Sequence, residues 1–381
     1  MRYAGITGWG KYVPERVLTN QDLEKMVETS DEWILARTGI KERRVAGPDE
    51  TVSTMSLAAS QDALAVARLD PRDLDLIIAA TSTPDYLMPP VSSMIQDMLA
   101  APHAAAFDLS AGCTGFVYAL ATAHQFIAAG TYDNVLVIGA EITSSFVDWE
   151  DRATCVLFGD GAGAALLQAS AAPTGVLSFV LGSDGSEYNA LIVPGGGSRH
   201  PFCQEVLDKG MHYIKMDGRR VFKFATKVPA EAAVRVIEGS GLAVDDIALL
   251  IPHQANLRII QCLAKSLGMP LEKVYINLDR YGNTSAASIP IALCEALEEG
   301  RVKDGDNIVL LGFGAGLTWA AAVVRIGMPE MLPWPIPWQL VSLKDVSFDN
   351  VRSLAKGAVG ILSAIVGALL LPFYSSTDKR D

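Results

Sequence analysis

An internal echo limits what this chain can fold into more than any other feature. Asp75-Leu-Ile-Ile-Ala-Ala-Thr and Asp246-Ile-Ala-Leu-Leu-Ile-Pro both read as buried strands. Each is followed, after a similar interval, by a further strand, a turn and a chemically loaded residue: Cys113 in the first stretch, Asn283 in the second. Each stretch closes on a glycine turn that feeds an apolar run, Gly159-Asp-Gly-Ala-Gly-Ala-Ala-Leu-Leu and Gly312-Phe-Gly-Ala-Gly-Leu-Thr-Trp. Such a repeat predicts two related α/β halves packed together. Their expected bounds are 1–172 and 173–327, with an extension over 328–381. Helical patterns fall between the strands, at 52–68, 93–99, 228–238, 257–267 and 289–299.

Three residues stand where a strand gives way to a turn or helix. Cys113 lies in Phe107-Asp-Leu-Ser-Ala-Gly-Cys-Thr-Gly-Phe, just before an apolar helical run. Free N–H groups and the helix dipole there favour a thiolate. His253 follows the strand Leu249-Leu-Ile-Pro, and Asn283 sits in Tyr281-Gly-Asn-Thr-Ser. Strand ends of this kind aim side chains into a common crevice. An asparagine before a helix also serves as a cap.

Composition excludes some classes. Half of the 381 residues are hydrophobic and 19% are charged, which suits a folded body with ample core and not a disordered chain. A net charge of −12 argues against nucleic acid as a partner. Five cysteines without metal-ligand spacing predict no metal site and fit a reducing cytoplasm. Cys155, Cys262 and Cys294 lie in apolar runs and read as small core residues. The glycine turns lack the spacing of a phosphate-binding loop.

Seven strings, in order, carry a family resemblance. They are Gly8-Trp-Gly-Lys-Tyr-Val-Pro, Thr29-Ser-Asp-Glu-Trp-Ile-Leu-Ala-Arg-Thr-Gly-Ile, the Cys113 turn, Phe158-Gly-Asp-Gly-Ala-Gly-Ala, the His253 and Asn283 segments, and Gly312-Phe-Gly-Ala-Gly-Leu-Thr-Trp. Over roughly residues 1–326 the chain resembles β-ketoacyl-acyl-carrier-protein synthase III of the thiolase superfamily. The resemblance implies the thiolase fold, a five-layered αβαβα sandwich of two duplicated halves. It implies a homodimer that condenses an acyl-CoA primer with malonyl-acyl carrier protein and needs no cofactor. Acyl transfer to another acceptor, or condensation in a specialised pathway, would use the same three residues.

By the same resemblance, Cys113 is the nucleophile, and His253 and Asn283 stabilise the enolate left by malonyl decarboxylation. The amides of Cys113 and Ala315 form an oxyanion hole. Alanine stands at 315 where the family usually has glycine, and only its amide is needed if its φ is negative. Trp33, Arg37 and Arg152 match coenzyme A contacts, Asn256 a contact to the pantetheine arm, and Phe222 the tunnel mouth. Met88 matches a residue that closes the partner's acyl pocket. Arg219, Arg220, Lys223, Arg258 and Lys265 form a basic cluster in an acidic chain, suited to docking the acidic carrier protein. The tail departs from the family. Residues 357–374 form an uncharged apolar run, expected as a helix that anchors a cytoplasmic enzyme to a membrane or docks on its body.

Overall fold

Alternation along each central strand decides the layering. In the strand Leu76–Ala80, Ile77 and Ala79 pack to one side, and Leu76, Ile78 and Ala80 to the other. In Asn307–Gly314, Ile308 and Leu310 face one way, and Val309, Leu311 and Phe313 the other. Strands apolar on both faces need cover on both. In the computed structural model, which describes residues 2–327, they have it.

Two sheets form the body. The first has the spatial order Tyr3–Tyr12, Asp160–Ser170, Asn134–Ile142, Leu76–Ala80, Ala105–Leu109. The second runs Gly175–Ser183, Thr318–Arg325, Asn307–Gly314, Ile247–Pro252. Read in those orders, both begin with two antiparallel pairings and then turn parallel. Helices Gly115–Ala128 and Ser288–Glu298 lie between the sheets, in one continuous core with residues of both. Helices Val52–Ala67 and Val91–Met98 cover the outside of the first sheet, and Val228–Gly239 and Leu257–Ser266 the outside of the second. The five-layered sandwich of the thiolase fold is therefore present. Each buried Leu, Ile or Phe in it contributes about 1.5–3 kcal/mol.

The halves differ at one edge. The first sheet has a fifth strand, Ala105–Leu109, leading to Cys113. The strand expected before Asn283 is reduced to a single parallel bridge, Leu250 to Val274. Gln254 takes the place of the missing ladder. Its Nε2 donates to the carbonyl of Tyr275 at 3.1 Å, and its Oε1 accepts from the amide of Asn277 at 3.1 Å. Buried Glu295 then ties the segment down, accepting from Asn277, Arg280 and Tyr281 at 2.9, 2.8 and 2.6 Å.

The inner helix Ser288–Glu298 and the turn before it press directly on the first sheet. A Cβ on Gly139 would lie 2.3 Å from the carbonyl oxygen of Ala286, and one on Gly163 2.7 Å from Pro290. The expected apolar helix at 357–374 lies outside the described residues. Among those described, no helix is long and apolar enough to cross a membrane. Replacing Gly139 by alanine should force the inner helix off the sheet and cost about 3 kcal/mol. Calorimetry should read this as a clear fall in Tm; an unchanged Tm would mean the contact yields freely.

Candidate active site

The inner helices open at the same place. A short 3₁₀ turn, Gly112–Thr114, leads into Gly115–Ala128, and its counterpart, Ser285–Ala287, leads into Ser288–Glu298. The first residue of each turn has left-handed φ, +54° at Gly112 and +50° at Ser285. Glycine takes that conformation freely; serine pays for it, so Ser285 is a strained position. A Cβ on Gly112 would also stand 3.2 Å from that of Ala315.

Cys113 is 6% exposed. Two cavities meet at it. One, of about 520 Å³, is lined by Ser82, Thr83, Leu87, Glu141, Phe202 and Ile214. The other, of about 340 Å³, is lined by Trp33, Arg37, Phe222, Asn256, His253 and Asn283. Cys113, Phe158 and Leu191 border both. The turn Gly314–Gly316 packs against the cysteine so closely that a Cβ on Gly314 would meet that of Cys113 at 2.8 Å. Thr318 holds this turn in place, its hydroxyl 2.9 Å from that of Thr114. Ala315 is not among the residues with positive φ, so its methyl group is accommodated.

The electrostatics differ from what a helix N-terminus alone implies. Burial pushes the Cys113 thiol up to about 11, and the carboxylate of Glu141 adds to the rise. The Ser285 hydroxyl and the amides of Cys113 and Ala315 pull the other way without winning. The resting group is a thiol, not the thiolate that the sequence position suggests. Both amides expected in the oxyanion hole thus reach the sulfur.

His253 is 1% exposed, and burial drops its imidazole to about 3, so the ring is neutral at any working pH. Its Nδ1 lies 2.6 Å from the hydroxyl of Ser288, and its ring meets Phe313 edge to face, centroids 5.0 Å apart. Where the Ser288 hydroxyl donates to Nδ1, the ring proton resides on Nε2. Asn283 is pinned through its backbone, donating to Leu157 and accepting from Gly159. Its Oδ1 accepts from the amide of Ser285 at 2.9 Å, which leaves the NH₂ end for a ligand.

The arm-side cavity gathers most of the expected coenzyme A residues. The guanidinium of Arg37 lies 5.8 Å from the Trp33 ring centroid and that of Arg152 4.9 Å. Arg152 itself borders a separate surface cleft and donates to the carbonyl of Glu28. Asn256 caps the helix Leu257–Ser266, its Oδ1 accepting from Arg258, while its Nδ2 donates to the carbonyl of Arg37. Phe222 lines the cavity with Arg258 stacked over it at 5.5 Å. In the basic cluster, Arg220 is committed to Glu187 and Asn189. Arg219, Lys223, Arg258 and Lys265 have no carboxylate partner among the described residues. Met88 is 82% exposed and does not line the cavity of its own chain.

The model of the 3-oxoacyl-[acyl-carrier-protein] synthase III family matches residues 107–185, and that of its C-terminal part matches 237–326. A β-ketoacyl-[acyl-carrier-protein] synthase III of Symbiobacterium thermophilum is 56% identical over 86% of this chain and 99% of its own. This chain belongs to the β-ketoacyl-acyl-carrier-protein synthase III family. The crystal structure of the 3-oxoacyl-[acyl-carrier-protein] synthase III from Aquifex aeolicus agrees, with TM-score 0.79 and 49% identity over 84% of this chain and 99% of its own. The priming β-ketosynthase of the R1128 polyketide pathway is more distant, at 37% identity and TM-score 0.80, covering 86% of this chain and 97% of its own.

Sequence reasoning missed three polar residues of this synthase III site. Ser288 holds the histidine. Ser285 and Glu141 lie beside the cysteine. Glu141 left a signal, an acid within the apolar strand Val135-Leu-Val-Ile-Gly-Ala-Glu-Ile. Ser285 left a fainter one, standing where the other half has Gly112.

Proposed function

We propose that Cys113, His253 and Asn283 together condense an acyl-CoA primer with malonyl-acyl carrier protein to give 3-oxoacyl-acyl carrier protein. Family membership carries the reaction class: the chain is an acyl-transferring condensing enzyme that initiates fatty acid synthesis. One observation supports the residue assignment above the others, the meeting of two cavities at a single buried sulfur.

The sulfur of Cys113 attacks the primer thioester, and the amides of Cys113 and Ala315 receive the developing oxyanion. Coenzyme A leaves along the Trp33 side, and the acyl group occupies the cavity beside Leu87 and Phe202. The malonyl arm then enters by the vacated route. Loss of carbon dioxide leaves an enolate, met by two neutral donors, Nε2–H of His253 and the NH₂ of Asn283. Each such donor lowers the barrier by about 3 kcal/mol. The enolate carbon attacks the acyl thioester, and the thiolate of Cys113 departs. These steps use the two thioesters and protein groups, with no call on a metal or other cofactor. The same triad would serve a priming condensation in a specialised pathway, the role that the R1128 relative's name gives to that protein.

Cys113→Ser should fold and form no acyl-enzyme, because a serine without a base is a far weaker nucleophile. His253→Ala and Asn283→Ala should keep part of their self-acylation and lose carbon dioxide release from malonyl-acyl carrier protein by roughly a hundredfold or more. Intact-mass measurement and a carbon dioxide assay separate the steps. Decarboxylation at the parent rate in either variant would remove that residue from the enolate site.

Arg219, Lys223, Arg258 and Lys265, exposed and without a carboxylate partner among the described residues, suit an acidic carrier protein. Arg258→Glu should raise KM for the carrier substrate more than for acyl-CoA, with the contrast fading at high salt. Arg220→Gln should do less, since Arg220 is already paired. Equal effects on both substrates would speak against docking here.

Two associations are also inferred. The exposed tip Tyr86-Leu87-Met88 suits a second copy of the chain, and the uncharged run 357–374, about 18 residues long, suits a membrane held from the cytoplasmic side. The full-length chain should stay with membranes through a high-salt wash. A chain ending at Gly327 should be soluble and dimeric by light scattering. A soluble full-length chain overturns the attachment, and a monomer overturns the dimer.

A further inference from the structure

One buried acid has no part in the steps above. Glu141 is fully buried beside the cysteine, on the strand Asn134–Ile142. Every group that approaches its carboxylate is a donor: the amide of Ser82, the hydroxyls of Thr81 and Thr83, and the hydroxyl of Ser285. No lysine, arginine or histidine donates to it among the described residues. Cys113 is the titratable group that faces it, and Asp85, on the adjoining loop, is turned away to Ser53. A purely structural site of this kind would be served equally well by a neutral side chain, and burying an unpaired acid is costly.

The Ser285 hydroxyl joins this acid to the nucleophile. Its Oγ is 3.1 Å from Oε1 of Glu141 and 3.4 Å from Sγ of Cys113. Its one proton serves one of the two at a time. Ser285 is held there at left-handed φ, at a position where the matching turn of the other half has glycine. Backbone strain kept at a residue touching the reacting atom marks a position that function over-determines.

We propose that Ser285 and Glu141 form a proton relay for Cys113, with Ser285 touching the sulfur and Glu141 acting through it. This rests on the reading of Cys113 as nucleophile. As the sulfur attacks the thioester carbonyl, its proton passes to Oγ of Ser285, and the serine proton passes to Oε1 of Glu141. The S–C bond to the acyl group forms. The tetrahedral adduct then breaks its bond to the coenzyme A sulfur, and the proton returns from Glu141 through Ser285 to that leaving group. Atoms and charge balance without a further reactant.

The acid–base match supports the relay. Burial raises the Glu141 carboxyl to about 7, against its four donors, while the thiol stands near 11. Above pH 7 the resting pair is therefore carboxylate and thiol, with a base whose strength suits proton removal near neutrality. Below pH 7 the carboxyl is protonated and the relay stops.

The test uses peptide-resolved alkylation of Cys113 by iodoacetamide across pH 5–10, alongside self-acylation from acyl-CoA. Alkylation needs no family reaction, so it judges the relay even if the proposed function fails. The unsubstituted enzyme should show a rate rising through pH 7 to a plateau. Glu141→Gln should lose that limb, with a rate climbing with hydroxide alone, on the order of a hundredfold slower at pH 7.5. Ser285→Gly should behave the same way while relieving the backbone, so it guards against misfolding, and Ser285→Thr, which keeps the hydroxyl, should restore much of the rate. The opposite sign overturns the relay: if Glu141 only repels the thiolate, Glu141→Gln will alkylate faster at neutral pH. An unchanged pH profile in Glu141→Gln or Ser285→Gly overturns it too, leaving the pair a structural role.

Discussion

The close seating of the helix Ser288–Glu298 on the first sheet is the constraint on which the rest depends. Gly139 and Gly163 present bare backbone to the turn and first residues of that helix. That contact carries an element of the second half into the first. It fixes the turn Ser285–Ala287 beside the turn Gly112–Thr114, and with it Asn283 and Ser285 relative to Cys113. His253 follows, because Ser288 on the same helix holds its Nδ1. A wider separation, of even one methyl group, would move all of these partners off the sulfur together.

Burial then sets the protonation of each group according to its type. The same lack of water raises the thiol and the carboxyl and lowers the imidazole. The outcome is a site with one negative charge near neutrality and three neutral partners. Such a site suits donors that act without ionising, and a sulfur placed here would have to lose its proton during any attack. The positive charge lies at the rim, where Arg37 and Arg152 flank Trp33, and Arg219, Lys223, Arg258 and Lys265 face solvent.

Much of this was legible in the chain. The echo of strand, turn and reactive residue gave the two packed halves, because buried strands and inner helices write their periodicities plainly. The helix at 257–267 and the buried Cys155 and Cys294 followed from the same patterns. The strand before Asn283 was not legible as absent. Val274-Tyr-Ile has a strand's composition, and only the distant Gln254 and Glu295 decide otherwise. Nor was the protonation of Cys113, since the opposing carboxylate comes from a strand 28 residues away. Ser285 escaped notice because its importance lies in a backbone angle and two distances, none of which a residue name reveals.

The two cavities that border Cys113 have a consequence for timing. If the acyl-CoA and malonyl arms both reach the sulfur through the Trp33 cavity, as proposed, they cannot occupy it at once. The first cargo must then be parked covalently, and its empty carrier gone, before the second can arrive. Abundance of either visitor therefore blocks the other, and the enzyme's pace becomes a matter of queueing. On that proposal, a thioester on Cys113 would serve as memory of which visitor came first.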